Sequence, residues 1–93
     1  MIITVEPGIY HNDFGIRLEN MLLTKLSEIP GFIEFETLNF IPFSHNLIDV
    51  KMLSNVEIDW INEYHQKVFD KLANCLTEDS ITFNWLKENT RKL

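Results

Sequence analysis

Apolar residues alternate or fall in short β-branched runs in the first half of the chain, and in the second half they recur every three or four positions. That change of period predicts strands followed by helices, the order of an α+β fold. Ile2 to Val5 reads as a short strand ended by Glu6-Pro7-Gly8, where proline fixes φ and glycine permits a turn, so the chain is expected to leave the strand there. From Phe14 to Thr24 a second strand sets Ile16, Leu18, Asn20 and Leu22 on one face, with Arg17, Glu19, Met21 and Leu23 on the other. Pro30-Gly31 marks a turn. Phe32 to Ile41 then predicts a third strand, with Glu34 and Glu36 sharing a partly wet face with Phe32 and Leu38. Pro42 removes a backbone donor, and Phe43 to Leu53 reads as a loop or extended connection.

Ser54 followed by Glu57 is a capping-box pattern, and Ile58, Ile61, His65, Val68, Leu72 and Leu76 carry a helical period to about Leu76. Thr77 to Asp79 is expected to start a second helix, with acids near its positive end and a narrow stripe of Ile81, Trp85 and Leu86. Trp60, Tyr64, Phe69 and Trp85 read as core or interface residues. Cys75, near the end of the first helix, reads as a buried structural thiol rather than a nucleophile.

Composition narrows the classes. A hydrophobic share of 45% with 24% charged residues excludes a disordered tail or a fibrous repeat. The net charge of −6 and the absence of a basic run argue against nucleic-acid binding. A single cysteine excludes an intrachain disulfide and a thiolate metal cluster, and no apolar run approaches the length of a membrane span. At 93 residues the core is thin for its surface, so partner chains or further sequence bear on its stability.

Two carboxylates on neighbouring strands, Glu6 beside a tight turn and Glu19 sharing a face with Arg17, are oxygen donors of the kind hard divalent cations take. From the residues alone the plainer readings stand beside this one: Glu6 as a turn-flanking surface acid, and Glu19 with Arg17 as an ion pair.

Taken in order, Thr4-Val5-Glu6-Pro7-Gly8-Ile9-Tyr10 and then Gly15-Ile16-Arg17-Leu18-Glu19-Asn20 resemble the end of the pita-bread metallopeptidases, a family that includes Xaa-Pro aminopeptidases and prolidases. Leu47-Ile48-Asp49-Val50, Asp59-Trp60-Ile61-Asn62-Glu63-Tyr64-His65 and Trp85-Leu86 resemble the tail of the longer, cytosolic aminopeptidase P subgroup, and the likeness runs over nearly the whole chain. The resemblance implies the carboxy-terminal part of a pita-bread fold, with antiparallel strands followed by two helices. It assigns residues 1–53 to the metal-site strands and connection, and 54–93 to a helical tail that forms a dimer interface. By the same resemblance Glu6 matches a ligand of one metal ion and Glu19 the carboxylate bridging two, usually manganese. Tyr10 and Arg17 match positions that support those ligands.

In such a centre the cations acidify a water and polarise the scissile carbonyl. The implied activity is release of an amino-terminal residue from a peptide with proline in second place, by a cytoplasmic homodimer. Two aspartates and a histidine that complete the five-ligand set lie upstream in the family, as do the histidines that handle substrate, and His11, His45 and His65 do not replace them. The chain is therefore expected to be a carboxy-terminal fragment, holding metal weakly and inactive by itself. The competing expectations are a prolidase acting on dipeptides, and a non-catalytic relative serving as a binding or dimerisation module.

Overall fold

The computed structural model describes residues 1–93 as two compact units, Met1–Asn39 and Phe40–Leu93. The first is built from β1 (Ile2–Val5), β2 (Gly8–Tyr10), β3 (Gly15–Arg17), β4 (Asn20–Leu26) and β5 (Ile33–Thr37). All pairings are antiparallel: β1, β4 and β5 form one sheet in that order, and β2 with β3 a separate hairpin.

Two differences from the sequence reading share one cause. The chain does not leave the ladder for good at Glu6-Pro7-Gly8, because strand structure resumes at Gly8 as β2. Correspondingly, the single strand expected from Phe14 to Thr24 is two strands, β3 and β4, with Leu18-Glu19 between them. Pro7 has no N–H to give a ladder. The pairing therefore lapses around it, and the one bond that crosses the gap runs from Leu18 N–H to the Pro7 carbonyl, 3.0 Å.

In the three-stranded sheet the register puts Ile3, Leu22, Thr24, Leu26, Ile33 and Phe35 on one face and Ile2, Leu23, Lys25, Glu34 and Glu36 on the other. The charged face is wet, as the pattern predicted. Lys25 Nζ sits 3.2 Å from both Glu34 Oε1 and Glu36 Oε2, and these two carboxylates, Glu36 foremost, raise its pKa. The opposite face is apolar yet open, with Leu26 86% exposed and Ile33 and Phe35 more than half exposed. Gly31, at φ 82°, makes the turn between β4 and β5 in a conformation that side-chain-bearing residues rarely adopt.

The second unit holds the buried core. Residues 43–53 are not a plain loop but contain two short 3₁₀ turns, His45–Leu47 and Val50–Met52, the second begun by Asp49, whose carboxylate accepts from Lys51 N–H. Helix α1 (Asn55–Ala73) starts with the predicted capping box: Ser54 Oγ accepts from Glu57 N–H at 3.3 Å, and Ser54 N–H donates to Glu57 Oε2 at 2.8 Å. That donated bond lowers the Glu57 pKa.

Helix α2 (Ile81–Asn89) begins later than the pattern suggested. Ser80 is its cap, accepting from Phe83 N–H at 3.1 Å, so Glu78 and Asp79 lie before the helix and no acid stands in its first turn. Asp79 takes φ 64°, a break that ends any earlier helical run.

Val68, Leu86, Tyr64 and His65 are the buried residues, with Phe40, Phe43, Phe69, Leu72, Ala73 and Leu76 packed against the apolar three. The expected stripe on α2 is only partly right: Leu86 is 2% exposed, whereas Ile81 is 91% and Trp85 55% exposed. Phe83, one turn before Leu86, is the second inward residue and meets Phe69 edge-on at 5.9 Å. Cys75 is exposed rather than buried because α1 ends at Ala73, which leaves it in the turn beyond. The two units part before the connecting segment, not after it, since Phe40 and Phe43 pack with the helices.

Candidate metal centre

The register that splits β1 from β2 and β3 from β4 also places the two candidate ligands. Val5 pairs with Asn20 and Gly8 with Arg17, so Glu6-Pro7 and Leu18-Glu19 form facing interruptions in one run of antiparallel pairing. Glu6 and Glu19, thirteen positions apart in sequence, thus come to the same gap between the two sheets. The register is the same on both sides of the gap, so Glu6 and Glu19 keep the strand alternation and each meets the residue two positions before it on its own face.

Each carboxylate is oriented by a neighbour. Thr4 Oγ1 donates to Glu6 Oε2 at 2.9 Å, and Arg17 Nη2 lies 3.1 Å from Glu19 Oε2. The ion pair anticipated from the sequence is therefore present. It does not compete with a role as ligand, because a bidentate carboxylate keeps further lone pairs when one oxygen is engaged. Both groups are exposed, so the pair contributes orientation more than stability.

Tyr10 and Arg17 stand on one face of the β2–β3 hairpin, since Gly8 faces Arg17 and Tyr10 faces Gly15. The Tyr10 ring lies across both glycines. A Cβ on Gly8 would come within 2.6 Å of Tyr10 Oη, and one on Gly15 within 2.7 Å of Tyr10 Cδ1. Glycine at these two places is what lets the ring lie flat beside the gap.

The residues fit a hard divalent cation in kind but not in number. Glu6 and Glu19 are oxygen donors, and no group of three or more His, Cys, Asp or Glu is arranged to hold a metal ion. His11 is exposed and stacks on Phe14 at 4.9 Å, away from any such role. His45 and His65 meet each other in the second unit, Nε2 to Nδ1 at 3.3 Å. In the sequence these two read as separate residues, a loop histidine and a helical one, because nothing in the nineteen residues between them signals that the first folds back onto the second.

The C-terminal region of peptidase M24 matches residues 31–93. The chain belongs to this family. Within peptidase M24 its similarity extends over the candidate centre as well. It is 42% identical to aminopeptidase P2 of Arabidopsis thaliana over 100% of this chain and 14% of that protein. To a probable Xaa-Pro aminopeptidase P of Arthroderma gypseum it is 36% identical, over 99% of this chain and 16% of that protein. Among solved structures it superposes with TM-score 0.84 and 28% identity on an X-prolyl aminopeptidase from Caenorhabditis elegans, a cytosolic enzyme with a di-nuclear active site. That alignment covers 99% of this chain and 16% of the nematode protein. The fold is thus that of the carboxy-terminal part of an X-prolyl aminopeptidase, and the chain spans only 14–16% of the length of these three relatives.

Proposed function

We propose that these residues are the carboxy-terminal part of a metal-dependent Xaa-Pro aminopeptidase, a hydrolase releasing the amino-terminal residue of peptides with proline in second place. The juxtaposition of Glu6 and Glu19 in one gap, in a chain similar from end to end to aminopeptidases P, is the observation that carries this reading. Glu6 and Glu19 would hold the divalent cations, manganese in our reading, through their carboxylate oxygens, with Glu19 serving both. When bound, the pair supplies Lewis acidity for hydrolysis. Arg17 holds the Glu19 carboxylate in position through the 3.1 Å contact, and Tyr10, resting on Gly8 and Gly15, borders the same gap. Two carboxylates without further ligands bind metal weakly, so the 93 residues by themselves are inactive.

The same proposal places the enzyme in the cytosol, where the nematode neighbour resides, and no helix here is long and apolar enough to cross a membrane. It also makes the parent protein a homodimer that pairs through the helical unit, which displays Trp60, Val56, Ile81 and Trp85 to solvent. A charge at Trp85 is expected to lower the mass of the dimer by half in light scattering, and an unchanged mass refutes this part.

The catalytic reading is tested on the longer protein that carries this segment with its upstream residues. Release of the first residue from a tripeptide with central proline should require added manganese and be abolished by Glu6→Gln or Glu19→Gln with the circular dichroism unchanged. Arg17→Ala should lower activity by about 10–100-fold, the usual cost of losing a group that orients a ligand. Cleavage of dipeptides alone would identify a prolidase. No cleavage of either, with the fold intact, would leave a binding module.

A further inference from the structure

Two neighbouring residues of α1 grip the connecting segment by its backbone. Tyr64 Oη donates to the Ile41 carbonyl at 2.7 Å and accepts from Ile41 N–H at 3.3 Å. One residue on, His65 Nε2 accepts from Phe43 N–H at 3.0 Å. His65 is 0% exposed, and its other ring nitrogen faces His45 Nε2 at 3.3 Å. The Phe43 ring lies over Tyr64 at 4.7 Å and beside Trp60 at 6.2 Å, so the segment covers an aromatic stretch of α1.

This arrangement dictates a protonation state. A ring nitrogen that accepts from a backbone N–H carries no proton, so His65 is neutral with its hydrogen on Nδ1, directed at His45. Protonating Nε2 sets one N–H against another and places a second donor where Phe43 needs an acceptor. From these contacts we propose that the His45–His65 pair is an acid-sensitive latch: protonation of His65 releases residues 41–47 from α1 and uncovers the buried Tyr64.

The surrounding groups favour the neutral state. Burial lowers the pKa of both histidines; His45 further lowers that of His65, and Arg91 that of His45. The carbonyl of Arg91 beside His65 and the Glu88 carboxylate facing His45 pull the other way. Glu88 and Arg91 are joined at 2.7 Å, which mutes both charges. Tyr64 is the remaining titratable neighbour, and its hydroxyl is engaged with Ile41. Because the closed form holds His65 below the ordinary histidine value, the latch is fully stabilising above that value and weakens as pH falls through it towards the lowered one.

Amide hydrogen exchange of the 93-residue chain between pH 7.5 and 5.0 tests the latch, each rate corrected for the intrinsic pH dependence. Protection of Phe43 is expected to fall as the pH drops, by no more than about 30-fold over that range, the linkage limit for an open form titrating near the ordinary histidine value of about 6.5 and a closed form lowered from it. The Val68 amide, inside α1, should keep its protection. In His65→Gln, whose side-chain oxygen can accept from Phe43 N–H but does not titrate, the Phe43 protection should become independent of pH. Constant Phe43 protection in the wild-type chain overturns the proposal, as does loss in parallel with Val68, which signifies general unfolding. If His65→Gln does not fold, the wild-type comparison of Phe43 with Val68 decides alone.

Discussion

The two units are stabilised by different means. In Met1–Asn39 the strands are held by ladders and no side chain is fully buried, while the apolar face bearing Leu26, Ile33 and Phe35 stands open. In Phe40–Leu93 two helices close on Val68, Leu86 and Tyr64, and the preceding segment adds Phe40 and Phe43. A backbone hydrogen bond contributes little net stability because water offers the same bond to the unfolded chain, whereas apolar burial has no such competitor. The strand unit, which carries the candidate ligands, therefore has a defined register but little intrinsic stability, and the helical unit has both.

The sharpest test of that contrast is Leu86→Ala. It removes a fully packed side chain and should cost about 2–5 kcal/mol in denaturant unfolding followed by circular dichroism at the helix band. Phe35→Ala, a larger truncation but on the open sheet face, should cost less than about 1 kcal/mol in the same chain. If the two cost the same, the sheet face is covered in solution and the contrast fails. Gly8→Ala comes next, at about 1–3 kcal/mol if the Tyr10 ring is held in place and less if it swings aside. The aromatic resonances of Tyr10 tell which, and unmoved resonances without a stability loss would contradict the close approach seen here.

Ser54→Ala should lose about 1 kcal/mol, confined to the α1 transition, through loss of the cap on the Glu57 amide. The smallest effect is expected from Lys25→Ala, whose partners Glu34 and Glu36 are all exposed, and added salt should erase it. A salt-resistant loss would mean that the charged face is shielded.

Legibility in the sequence followed the range of the interaction. The Ser54–Glu57 box, the Ile2–Val5 strand and the wet face of Glu34 and Glu36 depend on residues a few positions apart, and the chain shows them directly. Glu6 and Glu19 are legible as a site only through resemblance, because spacing by itself favours a surface acid and an ion pair. The break between β3 and β4 was hidden because Leu18 and Glu19 continue a perfect alternation. What interrupts it is Pro7 on the facing strand. The pattern predicts too early a start for helix α2 because Thr77 to Asp79 has good cap chemistry, and only the positive φ of Asp79 moves the start to Ser80.

By itself, then, the sequence determined the α+β order, the capped helix, the kinship with peptidase M24 and the oxygen-donor character of the candidate centre. All of these reside in residue identity and short spacing. Only the tertiary structure decided that Glu6 and Glu19 share one gap, that Leu86 and not Ile81 or Trp85 enters the core, and that His45 meets His65. Each of these depends on which distant backbone lies opposite, and a one-dimensional pattern carries a side chain's period but not its partner.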